Sequence, residues 1–309
     1  MARMSGRHFD KRINRLANRR STRSISAASA PADSTDINAE IVSLAEAAAD
    51  EHCPTTPIDP AVIAAAKHIT LSFGPYGDAF DGMLEFLDGR FHIYCNLDSL
   101  IAPDSPRARF TIAHELGHYF IDSHRIALTT GRAQPHGSSC QYESPLLPEQ
   151  QADLFAANLL MPARRFVAKA KAHPPGLPAI LKLADSFATS VTAAALRYVD
   201  ADLRPCAAIK WDSRGYAWKL LSTSAFRSFF RTTFQSPDAL PPDCPTRRAL
   251  TRQTPPDTGF FQAGTTASAW FPRIEAGQFR DAIFIEQAIP LGRFGTLTFL
   301  YPEGPQAGF

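Results

Sequence analysis

No Cys-x-x-C pair occurs in this chain, and its five cysteines (Cys53, Cys95, Cys140, Cys206, Cys244) are odd in number and scattered. That excludes a disulfide framework and a cysteine-built zinc site as expectations. No apolar run reaches the length needed to cross a bilayer, so no membrane partner is expected. Charge of one sign is scarce too: 32 Lys/Arg stand against 30 Asp/Glu, for a net +2. The imbalance sits at the start, where residues 1–34 hold eight basic and two acidic residues and leave 24 basic and 28 acidic ones to the rest. The body therefore lacks the basic signature of a nucleic-acid binder. The basic start has no apolar stretch behind it, so a secretory signal is not expected, and a cytoplasmic location is. Its Arg- and Ser-rich composition predicts a disordered tail over 1–34, solvated or holding phosphates loosely.

What the chain does have is His114-Glu115-Leu116-Gly117-His118, set in a segment that reads as a helix. Histidines at i and i+4 share one helix face, so both imidazoles reach one metal ion. Glu115, one residue on from the first histidine, is placed to act on a water as general base without binding the metal itself. Ile112, Ala113, Leu116, Phe120 and Ile121 make the helix apolar on most sides. Burying two histidines and a glutamate among them is costly unless something pairs with them.

Around this stretch the pattern predicts α+β architecture. A helix runs from near Asp36 to before Pro54, and Asp59-Pro60 gives an N-cap and first-turn proline for the next. Met83–Leu87 and Phe91–Cys95 flank Asp88-Gly89-Arg90, a tight hairpin signal. Residues 125–148 read as loop, 149–161 as helix, and 177–187 and 191–199 as a short helix pair around Thr189-Ser190. After Pro205 the segments 207–211, 216–221, 283–289 and 296–301 read as strands of a mainly antiparallel sheet, with a long loop over 236–258. The expected division is a tail 1–34, a catalytic domain 35–172, a helical segment 173–204 and a C-terminal domain 205–309.

A catalytic zinc ion has three protein ligands and one open position. Glu149 starts a helix with Asp153 one turn later, which suits a carboxylate ligand followed by a carboxylate that orients a ligand histidine. The rival third ligand is His124, ten residues after His114. In the extended H-E-x-x-H-x-x-G-x-x-H pattern that histidine follows a glycine, and here Ile121 replaces it. A helix continuing through Ile121 would carry His124 past the site, so Glu149 is preferred. Zinc is the expected metal, with manganese or iron as alternatives. Candidate donors to a developing oxyanion are His136, Tyr142 and His124. Arg109 reads as a ligand for a substrate carbonyl or as a helix-start salt bridge, and strands 83–95 offer an edge to an extended peptide.

Residues 57–162 resemble the ImmA/IrrE metallopeptidases. The matching segments are Pro57-Ile-Asp-Pro60, Phe91-His-Ile-Tyr-Cys-Asn96, Arg109 to His118 (RFTIAHELGH) and Glu149 to Pro162 (EQQADLFAANLLMP). The resemblance implies a zincin-like fold with His114, His118 and Glu149 as ligands and Glu115 as base. It further implies cleavage of a helix-turn-helix repressor that controls stress-response or mobile-element genes. IrrE-like members carry a C-terminal GAF-like domain, which the change of character at Pro205 fits. Two other readings stand beside it. One is a DNA-binding regulator using the helix pair 177–200. The other is a non-catalytic sensor with a structural metal, against which an intact Glu115 argues. The aromatics Trp211, Tyr216, Trp218, Trp270, Phe271, Phe284 and Phe294 are expected mostly in a core, with a small-molecule pocket or a stacking surface for single-stranded DNA as the functional alternatives.

Overall fold

The structure is a computed structural model, and it describes residues 34–135, 137–138, 146–212, 214–224, 226, 237–251, 253–271 and 282–304. The basic tail, His136 and Tyr142 lie outside these residues, as does Cys140; the other four cysteines are buried free thiols. Mixed helices and two sheets make the fold α+β, as the pattern predicts. Among the described residues no single helix is long and apolar enough to cross a membrane.

The chain divides into two compact units. The first ends at Ala163 and takes in Ser186–Thr189; the second is Arg164–Asp185 with Ser190 onward. This differs from the expected boundaries at 172 and 204, because the helices of the short pair pack against the C-terminal sheet.

In the first unit, α1 (Ser34–His52) and α2 (Pro60–Ala66) precede β1 (Thr70–Gly74), β2 (Gly82–Leu87) and β3 (Arg90–Asn96). Asp59 caps α2, accepting from Ala61 N at 2.9 Å. Asp88 and Gly89 close the β2–β3 hairpin with φ of 52° and 77°, the paired positive φ that a two-residue turn matching strand twist requires. The sheet order is β1-β3-β2, with β1 parallel and β2 antiparallel to β3. A short α3 (Leu97–Leu100) leads to α4 (Pro106–Phe120), then α5 (Asp122–Thr129) and α6 (Leu147–Leu160). Ser105 caps α4 by accepting from Ala108 N at 3.1 Å, and Pro106 occupies the first turn. Two expectations are corrected here. The stretch 125–129 is helical, and α4 does not run on past Phe120, because Ile121 adopts an extended φ/ψ of −73°/111° and starts a new helix.

Helix α6 packs against both α1 and α4, and α4 lies on the sheet; Ile41, Ile63, Leu84, Ile93, Ile112, Leu116, Phe155 and Leu159 belong to the core of this unit. Asn96 is fully buried and ties down the loop before β2. Its amide donates to Gly77 O and Phe80 O at 2.6 and 2.7 Å, while its oxygen accepts from Tyr76 N and Asp98 N. Arg109 serves packing of the chain: it donates to the main-chain oxygens of Ile58 and Ala188, neither a salt bridge at the helix start nor an open substrate contact.

The second unit holds α7 (Ala163–Lys171), α8 (Leu177–Phe187), α9 (Val191–Asp200) and an antiparallel sheet of β4 (Ala207–Trp211), β5 (Ala217–Ser222), β6 (Phe261–Thr266), β7 (Ile283–Pro290) and β8 (Thr296–Pro302), ordered β5-β4-β8-β7-β6. Leu177 N donates to Gln287 Oε1 at 2.6 Å, and the Tyr198 ring meets Phe299 edge-on. The expected long loop over 236–258 contains α10 (Pro245–Leu250), whose Thr246 and Ala249 are buried; another short helix, α11 (Ala267–Trp270), follows β6. Trp211, Trp270, Phe271 and Phe284 are core, as expected for most of the rings, while Tyr216 and Phe294 are exposed. Surroundings of the Trp218 side chain lie outside the description. Buried Glu286 accepts from Trp270 Nε1 at 2.9 Å and Thr246 N at 2.8 Å, which fills its oxygens from inside the fold.

Candidate metal centre

Helix periodicity puts His114 and His118 on the same face of α4, with their Nε2 atoms 3.2 Å apart. Helix α6 brings Glu149 to them: Oε2 lies 3.3 Å from His114 Nε2 and Oε1 lies 3.2 Å from His118 Nε2. Glu149 sits in the first turn of α6, where the partial positive charge of a helix N-terminus favours a carboxylate. All three side chains are buried, and one donor atom from each lies within 4.8 Å of the others.

The donor set fits a divalent ion. Ligand bonds of about 2.0–2.1 Å in a tetrahedron put donor atoms about 3.3 Å apart, the spacing found between these three side chains. Charge points the same way. Glu115, Glu149 and Asp153 surround two imidazoles in a largely dry place, and a cation offsets that concentration of negative charge.

Asp153, one turn after Glu149, places Oδ1 2.8 Å from His114 Nδ1. Both nitrogens of His114 thus face carboxylates. Burial by itself disfavours its protonated form, but the hydrogen bonds of Asp153 and Glu149, with the charges of Glu115 and Asp153, outweigh burial and raise its pKa to about 10.

Glu115 points toward the start of β2. A Cβ placed on Gly82 would lie 2.9 Å from Glu115 Oε1 and 2.4 Å from Thr111 Cγ2. The strand backbone can approach the base only because residue 82 has no side chain. Cys95, opposite Gly82 on β3, is buried beside it, and burial first, then the charge of Glu115, pushes its thiol up to about 12. It remains a neutral thiol and not a ligand. β2 is an edge strand, and Ser138 bridges its first residue, donating from N to Gly82 O at 2.8 Å. Gly82, Asn96 and Ser138 carried no signal in the sequence beyond Asn96 ending a strand.

His124 lies outside the cluster of His114, His118 and Glu149. The break at Ile121 turns α5 back, so that His124 Nδ1 lies 3.2 Å from His118 Nδ1, on the ring edge opposite Nε2. That position is on the far side of the His118 ring from the Nε2 atom that faces His114 and Glu149. Its other nitrogen, Nε2, lies 3.0 Å from Gln151 Oε1. Of the other two oxyanion candidates, His136 and Tyr142, the structure describes neither.

Residues 102–198 match the family model Peptidase_M78, the IrrE N-terminal-like domain. The resemblance read from the motifs is thereby shown for that segment, and with it a peptidase family whose members depend on a metal. No curated protein matches the chain in sequence. Among solved structures the fold is similar to that of a Mycobacterium tuberculosis transcriptional regulator, with a TM-score of 0.53 at 12% identity, over 88% of this chain and 82% of that one.

Proposed function

We propose that this chain is a zinc-dependent endopeptidase that cuts a helix-turn-helix transcriptional repressor in the cytoplasm and so releases the genes it silences. The observation that carries the reading is the cluster of His114 Nε2, His118 Nε2 and the Glu149 carboxylate beside Glu115 on the same helix. His114, His118 and Glu149 would hold the ion, in the arrangement of a zincin-like domain with a glutamate as third ligand. Zinc bound there supplies a Lewis acid and an activated water, and manganese or iron would suit the same donors. Asp153 fixes the orientation of the His114 ring. Glu115 takes the proton from the attacking water and passes it to the leaving amine. β2, at the edge of its sheet, is the strand to which an extended substrate segment would add as a further strand.

The five-stranded C-terminal unit fits the GAF-like regulatory domain implied by the resemblance, with a small molecule or single-stranded DNA as its effector. The three candidate ligands, with Glu115 and Asp153, lie between 114 and 153, so the ligand set draws nothing from that unit, and its proposed role is regulation. The test is incubation of the metal-loaded full chain with a helix-turn-helix repressor encoded beside it, with and without single-stranded DNA. One discrete cut, absent with Glu115→Gln, is the expected result; no cut under any condition would overturn the reading.

A second reading, a DNA-binding regulator, has one favourable observation: α8 and α9 meet at 110° across a short turn, within the range of helix-turn-helix motifs. Against it, Ala194, Ala195, Tyr198 and Val199 of α9 are buried and Arg197 pairs with Asp200 at 3.1 Å. Little positive charge is left on α9 to meet phosphates, and the peptidase reading is the stronger.

A further inference from the structure

We infer that His124 and Gln151 form a positioning relay that fixes the tautomer and ring orientation of His118. The inference rests on the metal-centre reading above and adds two residues to it. His114 has a carboxylate behind it, Asp153 at 2.8 Å. At Nδ1 of His118 stands another imidazole, that of His124, at 3.2 Å. Two imidazole nitrogens face to face make a hydrogen bond only if one carries hydrogen and the other a lone pair. Which way round is settled one step further out. His124 Nε2 is 3.0 Å from Gln151 Oε1, and an amide oxygen only accepts, so His124 carries its hydrogen on Nε2. In the neutral ring Nδ1 is then a lone pair, which accepts from His118 Nδ1–H. With Nδ1 protonated, His118 directs the lone pair of Nε2 toward His114 and Glu149, the form in which an imidazole ligates a metal.

Three elements are fastened by this chain of atoms. His118 lies near the end of α4, His124 in the first turn of α5, and Gln151 on α6 two residues after Glu149. The extended Ile121 between α4 and α5 is what returns His124 to the ring of His118. Were α4 continuous, His124 would sit beyond it and Nδ1 of His118 would have no acceptor from this side chain. Placing Gln151 and Glu149 in the same turn region of α6 makes one helix present both the ligand and the end of the relay.

The test compares wild type with His124→Phe, His124→Asn and Gln151→Leu in the full chain, reading zinc affinity by chelator competition and thermal unfolding without metal. Phe keeps a ring of similar shape but cannot accept; the Asn oxygen can stand where Nδ1 stood. Zinc affinity should fall about 10- to 100-fold with His124→Phe, by a smaller factor with Gln151→Leu, and return to within about threefold of wild type with His124→Asn. A merely structural His124 would not be rescued by the smaller Asn. Long-range proton–nitrogen NMR of the zinc-loaded wild type should show His118 protonated on Nδ1 and His124 on Nε2. Wild-type zinc affinity in His124→Phe, or a His124 protonated on Nδ1, overturns the relay while leaving the metal centre standing. Failure of the wild type itself to take up zinc would overturn both.

Discussion

Gly117 on α4 and Ala152 on α6 approach so closely that a Cβ built on Gly117 falls 3.0 Å from Ala152 Cα and 3.2 Å from its carbonyl oxygen. Gly117 directly precedes His118, and Ala152 directly precedes Asp153, which backs His114. Their contact sets how near the helix bearing Glu149 comes to the helix bearing both histidines.

Gly117→Ala should therefore act on the metal before it acts on the fold. The added methyl meets backbone, which cannot swing aside, so α6 must back away. Overpacking of this kind costs about 1–3 kcal/mol, measured by denaturant unfolding without metal. Zinc affinity should drop by about tenfold or more as Glu149 and Asp153 recede. An unchanged affinity would mean that the helices can slide without disturbing the donors.

Glu115→Gln should keep zinc and lose cleavage. The amide is nearly isosteric with the carboxylate and leaves His114, His118 and Glu149 in place, but it cannot take a proton. Loss of a general base lowers the rate by about 10²- to 10⁴-fold. His114→Ala should instead lose the metal. Metal content after dialysis and single-turnover cleavage separate the two variants, and normal cleavage by Glu115→Gln would remove Glu115 from its role.

Glu149→Ala should weaken zinc binding severely, because it deletes a donor. Asp153→Asn should weaken it by about 10- to 100-fold, because it only loosens the hold on His114 Nδ1. Chelator competition gives the order. If Asp153→Asn proved the more damaging of the two, Glu149 would not be the third ligand.

Zinc uptake should release protons well above neutral pH. His114 is protonated below about 10 in the metal-free site, and it must be neutral to bind. A raised pKa means the proton is still present at pH 8, so zinc affinity rises with pH up to about 10. At pH 8, titrations in buffers of different ionisation enthalpy should report about one proton per zinc from His114 in addition to any released by the metal-bound water, whereas histidines of ordinary pKa would add almost none.

Much of the first unit was legible because its signals are local. A two-residue Asp-Gly turn, an Asp-Pro cap and the i, i+4 spacing of His114 and His118 each depend on neighbours a few residues away, and the structure has them where the pattern puts them. The loop expected over 236–258 from its proline- and threonine-rich composition contains α10, because Pro245 stands in a first turn, where proline is favoured. His124 was misplaced for a related reason. The chain turns at Ile121, and an isoleucine carries no turn signal; its buried side chain fits only once the rest of the core is assembled.

By itself, then, the sequence determined the chemistry available: two imidazoles on one helix face, a base between them, and a carboxylate pair one turn apart on a second helix. These follow from helical periodicity, which needs no knowledge of the rest of the chain. Tertiary structure decided which of these groups meet. That Glu149 faces both Nε2 atoms, that Asp153 backs His114 while His124 backs His118, and that Gly82 and Gly117 must lack side chains are all outcomes of packing between segments distant in sequence. Such contacts depend on how closely two backbones approach, a distance that no local pattern of residues records.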